Sequence, residues 1–158
     1  MQDVRSFEAL QTNLMKSICE VVGAFYKCDA SKLHPRTWKE PHLLKYTCDG
    51  SKPHCGVEMH YDGCDVTWNL MLSRDTDYEG GGTYIRCLKR TVKLTQGQVL
   101  VHPGDLFHKG VDITAGTRYL TVCFTDGHDP QVADDSTADD KTSEHEKNVV
   151  MYSGGDLM

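Results

Sequence analysis

A chain of 158 residues and 17.7 kDa has room for one domain, and with 39% apolar, 25% charged and 8% aromatic residues its composition is globular rather than disordered or fibrous. The formal net charge of −6, from 17 Lys plus Arg against 23 Asp plus Glu, excludes the basic footprint that non-specific nucleic-acid binding requires. The acidic excess is local: residues 127–158 hold eight acids and two bases, whereas residues 1–126 are balanced, so a compact body over 1–126 and an acidic tail over 127–158, mobile or packed as a peripheral strap, are expected.

Asp3 and Glu8 stand where a secretory leader would carry cations. No apolar run approaches the roughly 20 residues that span a bilayer. A soluble chain with no signal peptide and no membrane partner, cytoplasmic in location, is therefore expected. Val4, Phe7, Leu10, Leu14, Ile18, Val21, Val22 and Phe25 recur mostly three or four residues apart. This spacing predicts an amphipathic helix over about residues 4–24, capped by Asp3, ended by Gly23 and packed as support on a sheet.

After Pro35 and Pro41 the pattern changes to short runs broken by Gly, Asp and Ser. His42–Tyr46, Val57–Tyr61, Val66–Leu72, Thr83–Cys87, Thr91–Leu94, Gln98–His102 and Arg118–Thr125 read as strands. Turns are expected at Asp49–Gly50, Asp62–Gly63, Gly80–Gly82, Gln96–Gly97, Pro103–Gly104 and Ala115–Gly116. One helix followed by many short strands predicts a mainly β fold, a barrel or sandwich of jelly-roll type, with its core over about residues 41–126. The glycine triplet reads as a tight strand connection, since no helix carrying Lys-Ser or Lys-Thr follows it as a phosphate loop requires.

The seven cysteines are odd in number and irregularly spaced, and read as reduced structural thiols. Cys48, His54, Cys55, His60 and Cys64 fit no common zinc spacing. His34, His42, His54, His128 and His145 belong to no pattern and read as surface residues.

The chemistry concentrates in His60-Tyr61-Asp62, His108 and Arg118. On an extended segment residues i and i+2 point to the same side, so His60 and Asp62 can reach one ion together. A histidine from a distant strand would complete two imidazoles and a carboxylate, the ligand set of non-haem Fe(II) oxygenases, with the remaining coordination positions open. His108 and His102 compete for the third place. His108 is preferred because Arg118 follows it at short separation across a Gly-containing turn. Arg118 opens a strand whose even positions Leu120, Val122 and Phe124 share its face, and a guanidinium at the mouth of a dry pocket calls for a carboxylate partner.

His60-Tyr61-Asp62 with Thr67, Asn69 and Leu72, then Tyr78-Glu79-Gly80-Gly81-Gly82, His102-Pro103-Gly104, His108-Lys109-Gly110 and Gly116-Thr117-Arg118-Tyr119 resemble the catalytic domain of procollagen lysyl hydroxylases. These belong to the prolyl and lysyl hydroxylase branch of the Fe(II)- and 2-oxoglutarate-dependent dioxygenases. The resemblance spans about residues 57–126 and implies a double-stranded β-helix. It further implies iron held by His60, Asp62 and His108, and 2-oxoglutarate anchored by Arg118, with Tyr46 and Asn69 as further co-substrate contacts and ascorbate as an accessory reductant. The implied reaction hydroxylates a lysyl or prolyl side chain and releases succinate and carbon dioxide. The alternatives are the same chemistry on a free amino acid or other small molecule, and a non-catalytic metal-binding module on the same fold. Lys109 and Asp112 stand where the family usually has glutamate and proline. Both are expected on the rim where substrate approaches, and they weaken the case for a collagen-type lysine.

Overall fold

The structure, a computed structural model, describes residues 2–37, 39–49, 55–127 and 149–152. The N-terminal helix α1 spans Gln2–Tyr26. Its Leu14, Met15, Ile18, Cys19, Val22 and Tyr26 pack on Val66, Trp68, Val99, Val101 and Cys123 of a sheet, the spacing of one helical face. Asp3 lies inside the helix rather than at its cap, and its side chain falls outside the described residues. Nor does Gly23 end the helix. Closure comes at Lys27, whose φ is 54°, with the Cys28 N–H donated to the Gly23 carbonyl at 3.0 Å. Gly23 instead permits close packing, since a Cβ there would lie 2.8 Å from that of Ala30 in the short 3-10 turn Ala30–Lys32.

Eleven strands follow among the described residues: β1 (His34–Pro35), β2 (His42–Cys48), β3 (Val57–His60), β4 (Val66–Met71), β5 (Tyr78–Gly80), β6 (Thr83–Ile85), β7 (Arg90–Val92), β8 (Val99–Pro103), β9 (His108–Gly110), β10 (Ile113–Asp126) and β11 (Val150–Tyr152). The larger sheet runs β1-β10-β4-β8-β11, with β2 and β5 also on β10, and the smaller runs β3-β9-β6-β7. Every pairing is antiparallel. The architecture is mainly β with one supporting helix, compatible with a jelly-roll or double-stranded β-helix. No helix among the described residues is long and apolar enough to cross a membrane.

Alternation along the strands divides the core. On β8, Val99 and Val101 face the helix, while Leu100 joins Met71, Ile85, Val92, Leu94 and Leu106 in a second cluster. A third cluster, Tyr46, Cys55, Ile113, Leu120 and Val122, lies around β2 and β10.

Several boundaries depart from the sequence reading. The strand expected from Arg118 begins at Ile113, because Ala115–Gly116 is an irregularity within β10 rather than a turn. The register shifts between Ile113 and Ala115, and Gly116, at φ 79°, continues the strand beside the Asp77 carbonyl, where a Cβ would overlap. Strands β5 and β9 are three residues each, too short to show a period. All seven cysteines are free thiols. Of the expected acidic tail, Val150–Tyr152 pairs with β8, and Val149 packs on the second cluster. Residues 128–148 and 153–158 lie outside the described residues.

Candidate functional site

His60 ends β3 and His108 opens β9, and the two are register partners across the smaller sheet, with ring centroids 4.5 Å apart. Asp62 follows β3 by two residues, its backbone N–H donated to the Gly104 carbonyl at 2.9 Å. Its side chain is 3% exposed, with Oδ1 3.3 Å from His60 Nε2 and Oδ2 3.7 Å from His108 Nε2. One ligand atom from each of the three residues lies within 4.8 Å of the others. Among the described residues this is the one His/Cys/Asp/Glu cluster able to hold a metal ion.

The hydrogen bonds around the cluster prepare it for a cation. His60 Nδ1 lies 2.6 Å from the Glu58 carbonyl and His108 Nδ1 2.9 Å from the Leu106 carbonyl. Carbonyls only accept, so both hydrogens belong on Nδ1 and both Nε2 lone pairs face Asp62. The Thr67 hydroxyl donates to Asp62 Oδ2 at 2.6 Å and fixes the carboxylate. Burial lowers the His108 pKa, which keeps its imidazole neutral, as ligation requires.

His102, the competing ligand, is not in the cluster. It is wholly buried on β8 with Nδ1 2.8 Å from the Pro103 carbonyl, and its ring stands edge-on behind that of His108 at 4.6 Å. Its Nε2 has no hydrogen-bond partner. Pro103–Gly104 is likewise more than a turn. Gly104 approaches Cys64 so closely that a Cβ would overlap the Cys64 carbonyl, and this approach lets its own carbonyl hold the Asp62 loop.

The facing wall is the larger sheet. Arg118 on β10 is the register partner of Tyr46 on β2, with Leu120 opposite Leu44 and Val122 opposite both His42 and Asn69. Arg118, Leu120, Val122 and Phe124 line one cleft together with Tyr46, Asn69, His60, Asp62 and His108. The cleft encloses about 480 Å³ including its open mouth. Arg118 is 3% exposed. Its guanidinium carbon lies 5.5 Å from the Tyr46 ring centre and 5.9 Å from that of Tyr78, and its Nε has no hydrogen-bond partner. No carboxylate pairs with it among the described residues. Burial lowers its pKa against the opposing pull of the Tyr78 and Tyr46 phenols. Burial likewise raises that of Tyr46, with Arg118 opposing.

Three features escaped the sequence reading. Thr67 supports Asp62, and the signal was its parity with Asn69 on β4. Tyr78 shares the guanidinium with Tyr46, but only the pairing of β5 with β10 brings it there. His42, expected as a lone surface histidine, lies 3.2 Å from the buried carboxylate of Glu40. Lys109 and Asp112, expected on the rim, are not among the residues that line the cleft; Lys109 alternates with His108 along β9.

No family model matches the chain. Over 71 residues it is 41% identical to the multifunctional procollagen lysine hydroxylase and glycosyltransferase of Rattus norvegicus. Over the same length it is 39% identical to procollagen-lysine,2-oxoglutarate 5-dioxygenase 1 of Homo sapiens and 38% to procollagen-lysine,2-oxoglutarate 5-dioxygenase of Drosophila melanogaster. Each match covers 42% of this chain and 10% of the relative, so the chain spans about a tenth of the length of these curated relatives. The partial likeness supports a family of 2-oxoglutarate-oxygenase type.

Proposed function

We propose that the chain is an Fe(II)- and 2-oxoglutarate-dependent dioxygenase that hydroxylates a lysyl or prolyl side chain of a peptide. One observation carries the reading: a His60/Asp62/His108 cluster and a buried guanidinium without a carboxylate face each other across a single cleft. The donor set fits a ferrous ion, with two neutral imidazoles and one carboxylate, leaving further positions to non-protein groups. The unpartnered Nε of Arg118 fits a diacid, since a desolvated guanidinium is best satisfied by a planar carboxylate. A metal site alone has no use for that cation. The partial likeness to lysine hydroxylases supports the reaction class and the lysyl substrate.

In this reading His60 and His108 bind the ion through Nε2, and Asp62 binds it through a carboxylate oriented by Thr67. Arg118 grips the distal carboxylate of 2-oxoglutarate, flanked by Tyr46 and Asn69. Leu44, Val57, Leu120, Val122 and Phe124 supply apolar walls to the cleft. Bound iron would supply the oxygen activation that side chains lack: one oxygen atom enters the C–H bond and the other enters succinate as 2-oxoglutarate loses carbon dioxide.

The test is succinate formation from 2-oxoglutarate with Fe(II) and ascorbate, alongside mass spectrometry of lysine- and proline-containing peptides and free amino acids. Iron-dependent succinate and a product heavier by one oxygen atom are expected, and His108→Ala should abolish both. Turnover that survives His108→Ala would end the proposal. Thermal stabilisation by metal but not by 2-oxoglutarate would point to a non-catalytic metal module.

A further inference from the structure

The cleft has a second polar end. His42, Leu44 and Tyr46 alternate along β2 opposite Val122, Leu120 and Arg118, so all six project from one face of the larger sheet. Five of them line the cleft, and His42 continues their row at the end remote from Arg118. There its ring lies 6.1 Å from that of Phe124, the register partner of Thr67, which holds Asp62. This end is the open one. The side chains of His42 and His60 are 40% and 37% exposed, whereas those of His108 and Asp62 are 8% and 3% exposed.

His42 is held rather than loose. Its Nε2 lies 3.2 Å from Glu40 Oε1, and the Glu40 side chain is 1% exposed with Oε2 accepting the Phe124 N–H at 3.3 Å. A carboxylate behind an imidazole orients the ring and selects the tautomer with hydrogen on the engaged nitrogen. Nδ1 of His42 has no partner among the described residues. It therefore carries a lone pair, on a ring that stands beside the cleft-lining Phe124 and Val122.

We infer that the Glu40–His42 pair is the subsite for the substrate's nitrogen, accepting a hydrogen bond from an ammonium group. The inference rests on the hydroxylase reading for what lies beside it, and names a cationic side chain or free amine as the group recognised. Prolyl side chains carry no such donor, so the pair selects lysyl over prolyl substrates.

Calorimetric titration of the Fe(II)- and 2-oxoglutarate-loaded protein under argon tests this, with Nα-acetyl-lysine methylamide and its norleucine analogue as probes. The wild type should prefer the lysine probe by about tenfold, the worth of one charge-assisted hydrogen bond. His42→Phe, at a half-exposed position, should erase the preference, and Glu40→Gln should narrow it. Equal affinity for the two probes, no binding of either, or a preference that survives His42→Phe overturns the inference. Repeating the titration without iron and 2-oxoglutarate separates the two readings. A lysine preference in a protein that never takes up 2-oxoglutarate would end the hydroxylase reading and leave the subsite standing.

Discussion

At the scale of single residues, the candidate ligands are organised by neighbours that the spacing of His60 and Asp62 does not reveal. Thr67→Val removes the hydroxyl that fixes the Asp62 carboxylate while keeping the side-chain shape. It should weaken metal affinity about 10- to 100-fold, measured by titration with Mn(II), with little change in the unfolding midpoint. The buried imidazoles set the acid limit. Burial, reinforced by the neighbouring His108, pushes the His102 pKa down to about 4, and burial lowers that of His108. In the unfolded chain these imidazoles take up protons near the ordinary value of about 6.5, so between there and about 4 the unfolded state binds more protons. Stability of the metal-free protein should therefore be full above about pH 6.5 and decline as pH falls through that window. His102→Phe should remove roughly 2 to 3 kcal/mol of the decline, read as urea midpoints at pH 7 and 4.5. The His-x-Asp triplet was legible because period-two geometry is local. The support from Gly104 and Tyr78 was not, because it depends on which distant segments meet.

At the scale of elements, β10 organises the larger sheet, pairing with β1, β2, β4 and β5 along its 14 residues. Its apolar alternation from Arg118 onward was readable, but its first five residues were hidden by a glycine that resembled a turn and proved to be an irregularity inside the strand. The helix was readable from its stripe, whereas its end was not, because closure falls at Lys27, a non-glycine residue at φ 54° four positions beyond the expected glycine. Ile18→Ala, on the buried face of that helix, should destabilise the protein by about 3 kcal/mol in urea while leaving metal affinity intact. Gly104→Ala should do the reverse. The added methyl displaces the Cys64 segment and with it the Asp62 loop, so metal affinity should fall more than tenfold by the same titration, for a smaller loss in Tm.

At the scale of the whole molecule, the acidic segment was visible as a change in charge, and its return to the sheet through Val150–Tyr152 was not, since three residues carry no pattern. A chain ending at Gly127 should still fold and still gain thermal stability from 2-oxoglutarate. Its Tm should fall by about 5 °C, because β8 loses its outer neighbour and becomes an exposed edge. The difference in exposure across the cleft has a kinetic counterpart. Arg118 sits at the blind end and the two accessible histidines at the entrance, so whatever occupies the entrance bars the way inward. If the proposed activity holds, addition should thus be compulsory in order, diacid before acceptor, and an acceptor analogue should slow both the departure and the arrival of the diacid in stopped-flow traces.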